Sequence, residues 1–252
     1  MNNPRIFQSI PLHSNQILEL DNQASHHLLR VLRLKVGNPI TLFNGEGGEY
    51  GGQLCVIKRN RVSVKVGDFR PHECESPCAI HLAQAISKSA SMDLIVQKAV
   101  ELGVHTITPI LSQHCTIKTT PAHLQKRRQH WQAIIINASE QCGRNTLTQI
   151  NPPIDLSPWL QQKTTETKLL LDPNSKQCFT TPLPKATQIN LLIGPEGGFS
   201  ESENQLAQKQ GYLAVNLGPR ILRCETAVLA AISLAQSCWG DLSDKSNALS
   251  PE

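Results

Sequence analysis

The stretch that decides the fold is Leu191-Leu192-Ile193-Gly194-Pro195-Glu196-Gly197-Gly198-Phe199-Ser200-Glu201-Ser202-Glu203. The unbroken apolar run from Ile189 to Ile193 reads as a strand buried on both faces. Gly194 to Gly198 reads as a tight turn, and Ser200 with Glu203 as the capping box that opens a helix. In an open α/β sheet, ligands bind where the carboxyl end of a strand runs into such a turn. The turn is not a phosphate grip, because it lacks G-x-x-x-x-G-K-[ST] and its glycine spacing departs from G-x-G-x-x-G. Pro195 stiffens it and Glu196 adds a negative charge, a design better suited to a neutral or cationic ligand. A turn whose glycines only permit positive φ is the alternative on this stretch alone.

Downstream, Leu213 to Leu217 predicts another strand, and Asn216-Leu217-Gly218-Pro219-Arg220-Ile221-Leu222-Arg223-Cys224-Glu225-Thr226-Ala227 repeats the sequence of strand, Gly-Pro turn and helix start. Two consecutive strands thus end in Gly-Pro loops on one sheet edge, the second carrying two arginines and a glutamate. The helix Thr226 to Trp239 is rich in small residues (Ala227, Ala230, Ala231, Ser233, Ala235), which suits either close core packing or an interface. Upstream, strands at Ala79–Ala85, Val104–Ile110 and Leu169–Leu171 alternate with helices at Ser91–Leu102 and Pro121–Cys142, and Gly143 is a plausible stop for the second helix. A further helix is expected at Ser200–Gln210. Apolar strands alternating with helices predict a mainly parallel sheet covered on both sides. Residues 244–252 read as a polar, flexible tail.

The segment from Gly67 to Cys78, GDFRPHECESPC, reads as a linker between a domain over 1–72 and a larger one over 73–243. In the smaller part, Ile40–Phe43, the turn-like NGEGGEYGG at 44–52, Gln53–Ile57 and the alternation of Val62, Val64 and Val66 predict a small antiparallel barrel or sandwich. One helix, Gln23 to Leu34, interrupts it. At 100° per residue Leu28, Leu29, Val31 and Leu32 share one side, and His26, Arg30 and Arg33 the other. The chain carries 24 Lys+Arg against 20 Asp+Glu. Nine of those cations and five of those acids lie in residues 1–72, so the whole surplus sits there. The stripe His26, Arg30, Arg33, together with Arg59, Arg61 and Lys65, is either a solvated basic face or a contact for RNA phosphates.

Composition excludes other classes. No apolar run among the 252 residues approaches the roughly 20 needed to cross a bilayer. The start, Met1-Asn2-Asn3-Pro4-Arg5, has no apolar run of a secretory leader, so the eight cysteines read as cytosolic thiols. They contain no C-x-x-C, and the group His72, Cys74, Cys78 with His114 and Cys115 lacks paired ligand spacing, so no metal is expected.

GPEGG after a strand, LGPRILRxETA at 217–227, HHLLRVLR at 26–33, QKAVELGV at 97–104 and EQCGR at 140–144 stand in one order across about residues 1–242. Together they resemble the ribosomal RNA small subunit methyltransferase E family. The resemblance implies a C-terminal α/β domain of the SPOUT class, tied in a deep trefoil knot, and an N-terminal PUA-like RNA-binding β-barrel. It implies a cytoplasmic homodimer, joined through the SPOUT domain, that uses S-adenosylmethionine to methylate N3 of a uridine in 16S ribosomal RNA on the small subunit. A ribose 2′-O methyltransferase of the same class and a non-catalytic RNA-binding assembly factor are the alternatives. Cys224 departs from the family pattern, where threonine is expected.

Methylation at uracil N3 requires loss of the N3 proton, stabilisation of charge on O2 and O4, and alignment with a methyl donor. Glu196 and Glu225 are the candidate bases, and Arg144, Arg220 and Arg223 the candidate stabilisers of the uracil anion or of phosphate, with stabilisation of the positive end of the last helix as the alternative for Glu225. Glu140 and Arg144 could instead pair at i,i+4 on a helix. Cofactor binding is assigned to Leu171, Gly194, Pro195, Glu196, Gly197, Gly198, Leu217, Gly218, Ile221, Leu222, Arg223 and Thr226.

Overall fold

The computed structural model describes residues 3–115, 120–164, 166–179 and 186–242, so the expected tail at 244–252 lies outside the described residues. They group in two compact units, 3–75 with 139–147, and 76–138 with 148–242.

The first unit holds β1 (Arg5–Phe7), β2 (Ile17–Glu19), β3 (Pro39–Phe43), β4 (Glu49–Lys58) and β5 (Arg61–Arg70) in the order β1-β3-β4-β5-β2. Alternation works as expected, since Val62, Val64 and Val66 are buried against Ile40, Leu42 and Leu54. The sheet is mixed rather than antiparallel, because β1 pairs with β3 in parallel. β4 begins inside the glycine-rich stretch that reads as a turn. A Cβ at Gly52 would stand 3.0 Å from Val64 Cγ1 and 3.2 Å from Ile40 Cγ1, so glycine is there to let the core close over the strand. β5 in turn takes the first four residues of the expected linker.

The N-terminal helix differs from its sequence reading. α1 (Asn22–His26) is capped by Asp21, whose carboxylate accepts the Ala24 N–H at 2.8 Å, and it continues as a π-helical turn, His27–Val31. The wider turn breaks the 100° phase. Leu28 is fully buried and Leu29 packs partly, but Val31 is 61% exposed and Leu32 also faces solvent. Arg33 leaves the helical stripe, with φ 55°.

Residues 139–147 group with this unit, apart from the rest of the stretch 73–243 that reads as one domain. Hydrogen bonds hold them. Glu140 Oε1 accepts the Phe7 N–H at 2.9 Å, Asn145 Nδ2 donates to His72 O at 2.6 Å, and Arg5 Nη2 donates to Asn145 Oδ1 at 2.5 Å.

The second unit runs β6 (Ala79–Ala85), α2 (Ser89–Glu101), β7 (Thr106–Leu111), α3 (Pro121–Cys142, whose last residues group with the first unit), β8 (Gln149–Ile150), β9 (Ile154–Asp155), α4 (Leu156–Leu160), β10 (Thr167–Leu171), β11 (Gln188–Ile193), α5 (Glu201–Lys209), β12 (Leu213–Val215) and α6 (Cys224–Trp239). The sheet order is β12-β10-β11-β6-β7-β8, with β9 also on β7, and every pairing is parallel. Ile189, Leu191, Leu192, Leu82, Leu169 and Leu170 are fully buried, as apolar strands covered on both faces must be. One polar chain crosses this core. Trp159 Nε1 donates to Tyr212 Oη at 3.2 Å, Tyr212 Oη donates to Asn190 Oδ1 at 3.0 Å, and Asn190 Nδ2 donates to Glu166 Oε2 at 3.1 Å. α6 packs on α2 and buries Ala231 and Ala235 within the chain, so part of its small-residue face is core. No described helix is long and apolar enough to cross a membrane.

Candidate active site

In the second unit the register sets Ile193, the last residue of β11, opposite Leu171 at the end of β10 and Gln84 near the end of β6. The turns after β6, β10, β11 and β12 therefore leave the sheet on its carboxyl edge.

The first turn is closed by Gly198 N–H to Pro195 O at 2.9 Å, with Gly198 at φ 67°. Gly194 is required by space: a Cβ would stand 3.1 Å from Phe199 N and 3.2 Å from Gly198 Cα. Both arms of the capping box form, Ser200 Oγ with Glu203 N–H and Glu203 Oε2 with Ser200 N–H. Glu203 Oε1 also accepts the Gln113 N–H at 2.8 Å, and His114 Nδ1 lies 3.2 and 3.1 Å from the carbonyls of Gly197 and Gly198. The end of β7 is thereby clasped to this turn. Since both neighbours are acceptors, Nδ1 carries the proton. Glu196 is exposed, and its Oε1 accepts the N–H of Lys88, the N-cap residue of α2, at 3.0 Å, which ties this turn to the start of that helix.

The second turn follows β12. Asn216 Oδ1 accepts the Gly218 N–H at 2.8 Å, and Gly218 takes φ 96° with open space where a Cβ would point. Arg220, Arg223 and Thr226 are exposed, Leu217, Leu222 and Glu225 half-buried, and Ile221 is 93% exposed. Among the described residues Arg220, Arg223 and Glu225 make no ion pair or side-chain hydrogen bond, which leaves two guanidinium groups and a carboxylate uncommitted.

Cys224 opens α6 from the buried side. Its Sγ lies 3.3 Å from Gly194 O, 3.3 Å from Ser87 Oγ and 3.4 Å from Gln84 Nε2. Burial pushes its thiol up, so it stays a neutral S–H that donates to Gly194 O. The thiol therefore holds the two turns together where the family pattern leads one to expect a hydroxyl.

Arg144 groups with the first unit, is 3% exposed, and grips Glu75 with Nε to Oε1 at 2.9 Å and Nη2 to Oε2 at 2.5 Å. Its buried guanidinium faces a carboxylate, and Glu140 bonds to Phe7 rather than to Arg144.

Several residues of the edge escaped the sequence reading. Gln84, a polar residue inside an apolar strand, was the legible signal; Ser87, Lys88 and His114 act through turns and left none. Arg127 on α3 donates to Ser87 O at 3.4 Å and stacks 5.1 Å over the Trp131 ring. Burial lowers its pKa while Asp93 opposes this.

The first unit gathers its own cations. Arg59 and Asn60, at φ 49° and 64°, form the two-residue turn between β4 and β5, and Arg30 Nη2 lies 3.5 Å from Asn60 Oδ1. Arg61 pairs with Glu19 at 2.6 Å, Lys65 stands across from Ile17 on β2, and His26 is exposed. Arg30, Arg59 and Arg61 thus converge around one hairpin, and Arg33 is turned away from the stripe. Among the described residues no group of His, Cys, Asp and Glu could hold a metal ion.

Comparison with known proteins accounts for both units. An RNA methyltransferase domain model matches residues 74–236, and an RNA methyltransferase PUA domain model matches 20–67. The ribosomal RNA small subunit methyltransferase E of Buchnera aphidicola (subsp. Schizaphis graminum) is 36% identical over 95% of this chain and 98% of its own length. That of Bacillus subtilis is 30% identical over 82% and 85%. A methyltransferase from Legionella pneumophila, solved in complex with bound SAM, superposes with a TM-score of 0.91 at 39% identity over 96% of this chain and 100% of its own. The small subunit methyltransferase E of Neisseria gonorrhoeae, solved with S-adenosyl methionine, gives 0.87 at 38% identity over 96% and 100%. With both domains matched in order and nearly the whole length covered, the chain belongs to the ribosomal RNA small subunit methyltransferase E family.

Proposed function

We propose that the chain transfers a methyl group from S-adenosylmethionine to N3 of a uridine in 16S ribosomal RNA, acting in the cytoplasm on the small subunit as a homodimer joined through its knotted SPOUT domain. The observation that carries this reading is the pair of Gly-Pro turns on one carboxyl edge, with Arg220 and Arg223 exposed beside them and without an ion pair among the described residues. The residues fit S-adenosylmethionine, a small sulfonium cation that carries a flat adenine ring. Gly198 and Gly218 have open space where a Cβ would point, Ile221 is an uncovered apolar side chain, Glu196 offers negative charge, and neither turn contains a lysine that would favour a polyphosphate. When bound, the cofactor supplies a methyl group activated by the sulfonium.

The chain's own residues supply the rest. Arg220 and Arg223 stabilise the charge that develops on uracil O2 and O4, or hold the flanking phosphate. Glu225, uncommitted in the first turn of α6, takes the N3 proton. Glu196 serves first as the anchor of its turn, because its carboxylate already accepts the Lys88 N–H. The cations at Arg30, Arg59 and Arg61, with His26 and Lys65, hold RNA phosphates, which adds affinity without reading sequence. The target base has to be splayed out of its stack, which favours structured RNA over free nucleoside.

The test incubates hypomodified small subunits, and separately naked RNA, with the protein and labelled S-adenosylmethionine, then digests to nucleosides. Label in 3-methyluridine is expected. Label in a ribose, or in no nucleoside, refutes the proposal.

A further inference from the structure

Gln84 is wholly buried in the apolar strand β6, between Ala83 and Ala85. Its Nε2 is well used, donating to Ala85 O at 2.8 Å and reaching Gly194 O at 3.3 Å and Cys224 Sγ at 3.4 Å. Its Oε1 is buried with no partner among the described residues. A buried amide with one half unsatisfied costs stability that a methionine or leucine of similar volume would not. Selection for the fold alone therefore does not account for glutamine at this position.

Its contacts do. Gly194 is the first residue after β11 and Cys224 the first of α6. Among the described residues the one hydrogen bond joining these two turns is Cys224 Sγ to Gly194 O, and Gln84 Nε2 reaches both of its ends. Ser87 Oγ, from the turn after the same strand, holds Cys224 from a further side. Gly194 leads to Glu196, and Cys224 sits between Arg223 and Glu225, so the separation of the turns sets where the backbone groups of one stand relative to the charged groups of the other. We infer that Gln84 is a positioning residue for the cofactor, spacing the two Gly-Pro turns at the expense of its own unpaired oxygen. This rests on the reading that these turns hold S-adenosylmethionine.

The experiment measures S-adenosylmethionine binding by calorimetry, melting without cofactor, and RNA affinity for the full chain and for Gln84→Met and Gln84→Glu. Gln84→Met removes the amide at nearly constant volume. It is expected to raise the cofactor Kd at least about tenfold, or ~1.4 kcal/mol, and to leave RNA affinity and melting close to those of the unaltered protein. In turnover KM for the cofactor should rise, with kcat at saturation within roughly threefold. Gln84→Glu sets a carboxylate against the Gly194 carbonyl, is expected to weaken cofactor binding further, and carries the same test if the methionine variant does not fold. A cofactor Kd within about twofold in both variants, with or without a loss of melting temperature, overturns the inference. Failure of the unaltered protein to bind S-adenosylmethionine would instead overturn the reading of the site itself.

Discussion

Replacing Arg144 by methionine separates a structural arginine from a catalytic one. The guanidinium is 3% exposed and makes two charge-assisted hydrogen bonds to Glu75, at 2.9 and 2.5 Å. Removing one partner of a buried ion pair costs about 3–5 kcal/mol, mostly because the other charge is left stranded. The Glu75 side chain retains 18% exposure, so water reaches the orphaned carboxylate and the lower end applies, about 3 kcal/mol. For a unit of this size that lowers its melting temperature by about 10 °C or more. Urea unfolding of Arg144→Met, Glu75→Leu and the double variant forms the cycle. The double variant strands no charge and should recover to within about 1 kcal/mol of the original protein. Methylation of hypomodified small subunits, assayed well below the transition, should then stay within roughly threefold in the double variant. A fully folded double variant without activity would refute the structural account and return Arg144 to the RNA.

Arg220→Ala and Arg223→Ala remove exposed cations that make no ion pair among the described residues, so each should leave stability within about 0.5 kcal/mol while lowering kcat/KM for methylation by about 10²-fold; unaltered kcat/KM in both would remove them from the site. His81 is half-buried, and its pKa is lowered by desolvation against an opposing contribution from Glu166. Its folded-state pKa lies below the unfolded value of 6.5, so the unfolded chain takes up the proton first. This part of the stability is fully present above pH 6.5 and is lost as pH falls through that value toward the folded pKa. Urea midpoints between about pH 7.5 and 5.5 should therefore decline less steeply for His81→Gln than for the original protein, and equal slopes would contradict this. Arg30→Ala and Arg59→Ala should weaken RNA binding alike across sequences and each reduce the salt slope by about one, as titrations at several salt concentrations would show. A variant that alters base preference at constant salt slope would contradict phosphate contact.

Local signals carried much of the second unit. Apolar strands at Ala79–Ala85 and Ile189–Ile193, the Ser200–Glu203 capping box and the two Gly-Pro turns are each written within a dozen consecutive residues, and each forms where its pattern stands. The first unit was harder to read. A π-helical turn shifts the phase of every later side chain, so Val31 and Leu32 left the core that the 100° plot gave them. Gly52 reads as a turn residue because a contact with Val64 and Ile40, distant in sequence, is invisible in the stretch itself.

By itself the sequence determined the main strands and helices of the second unit, their parallel sheet, the edge where the two Gly-Pro turns lie and, through five ordered motifs, the family. These follow from periodicity, capping and turn chemistry, which act between near neighbours in the chain. Only the tertiary structure decided which charged groups are free to act. Arg144 and Arg220 are alike as letters, but one is buried against Glu75, 69 residues away, and the other faces solvent. The same holds for Gln84, whose partners lie 110 and 140 residues distant. Desolvation and hydrogen bonding depend on what packs against a group, and that is set by contacts between residues far apart in the chain.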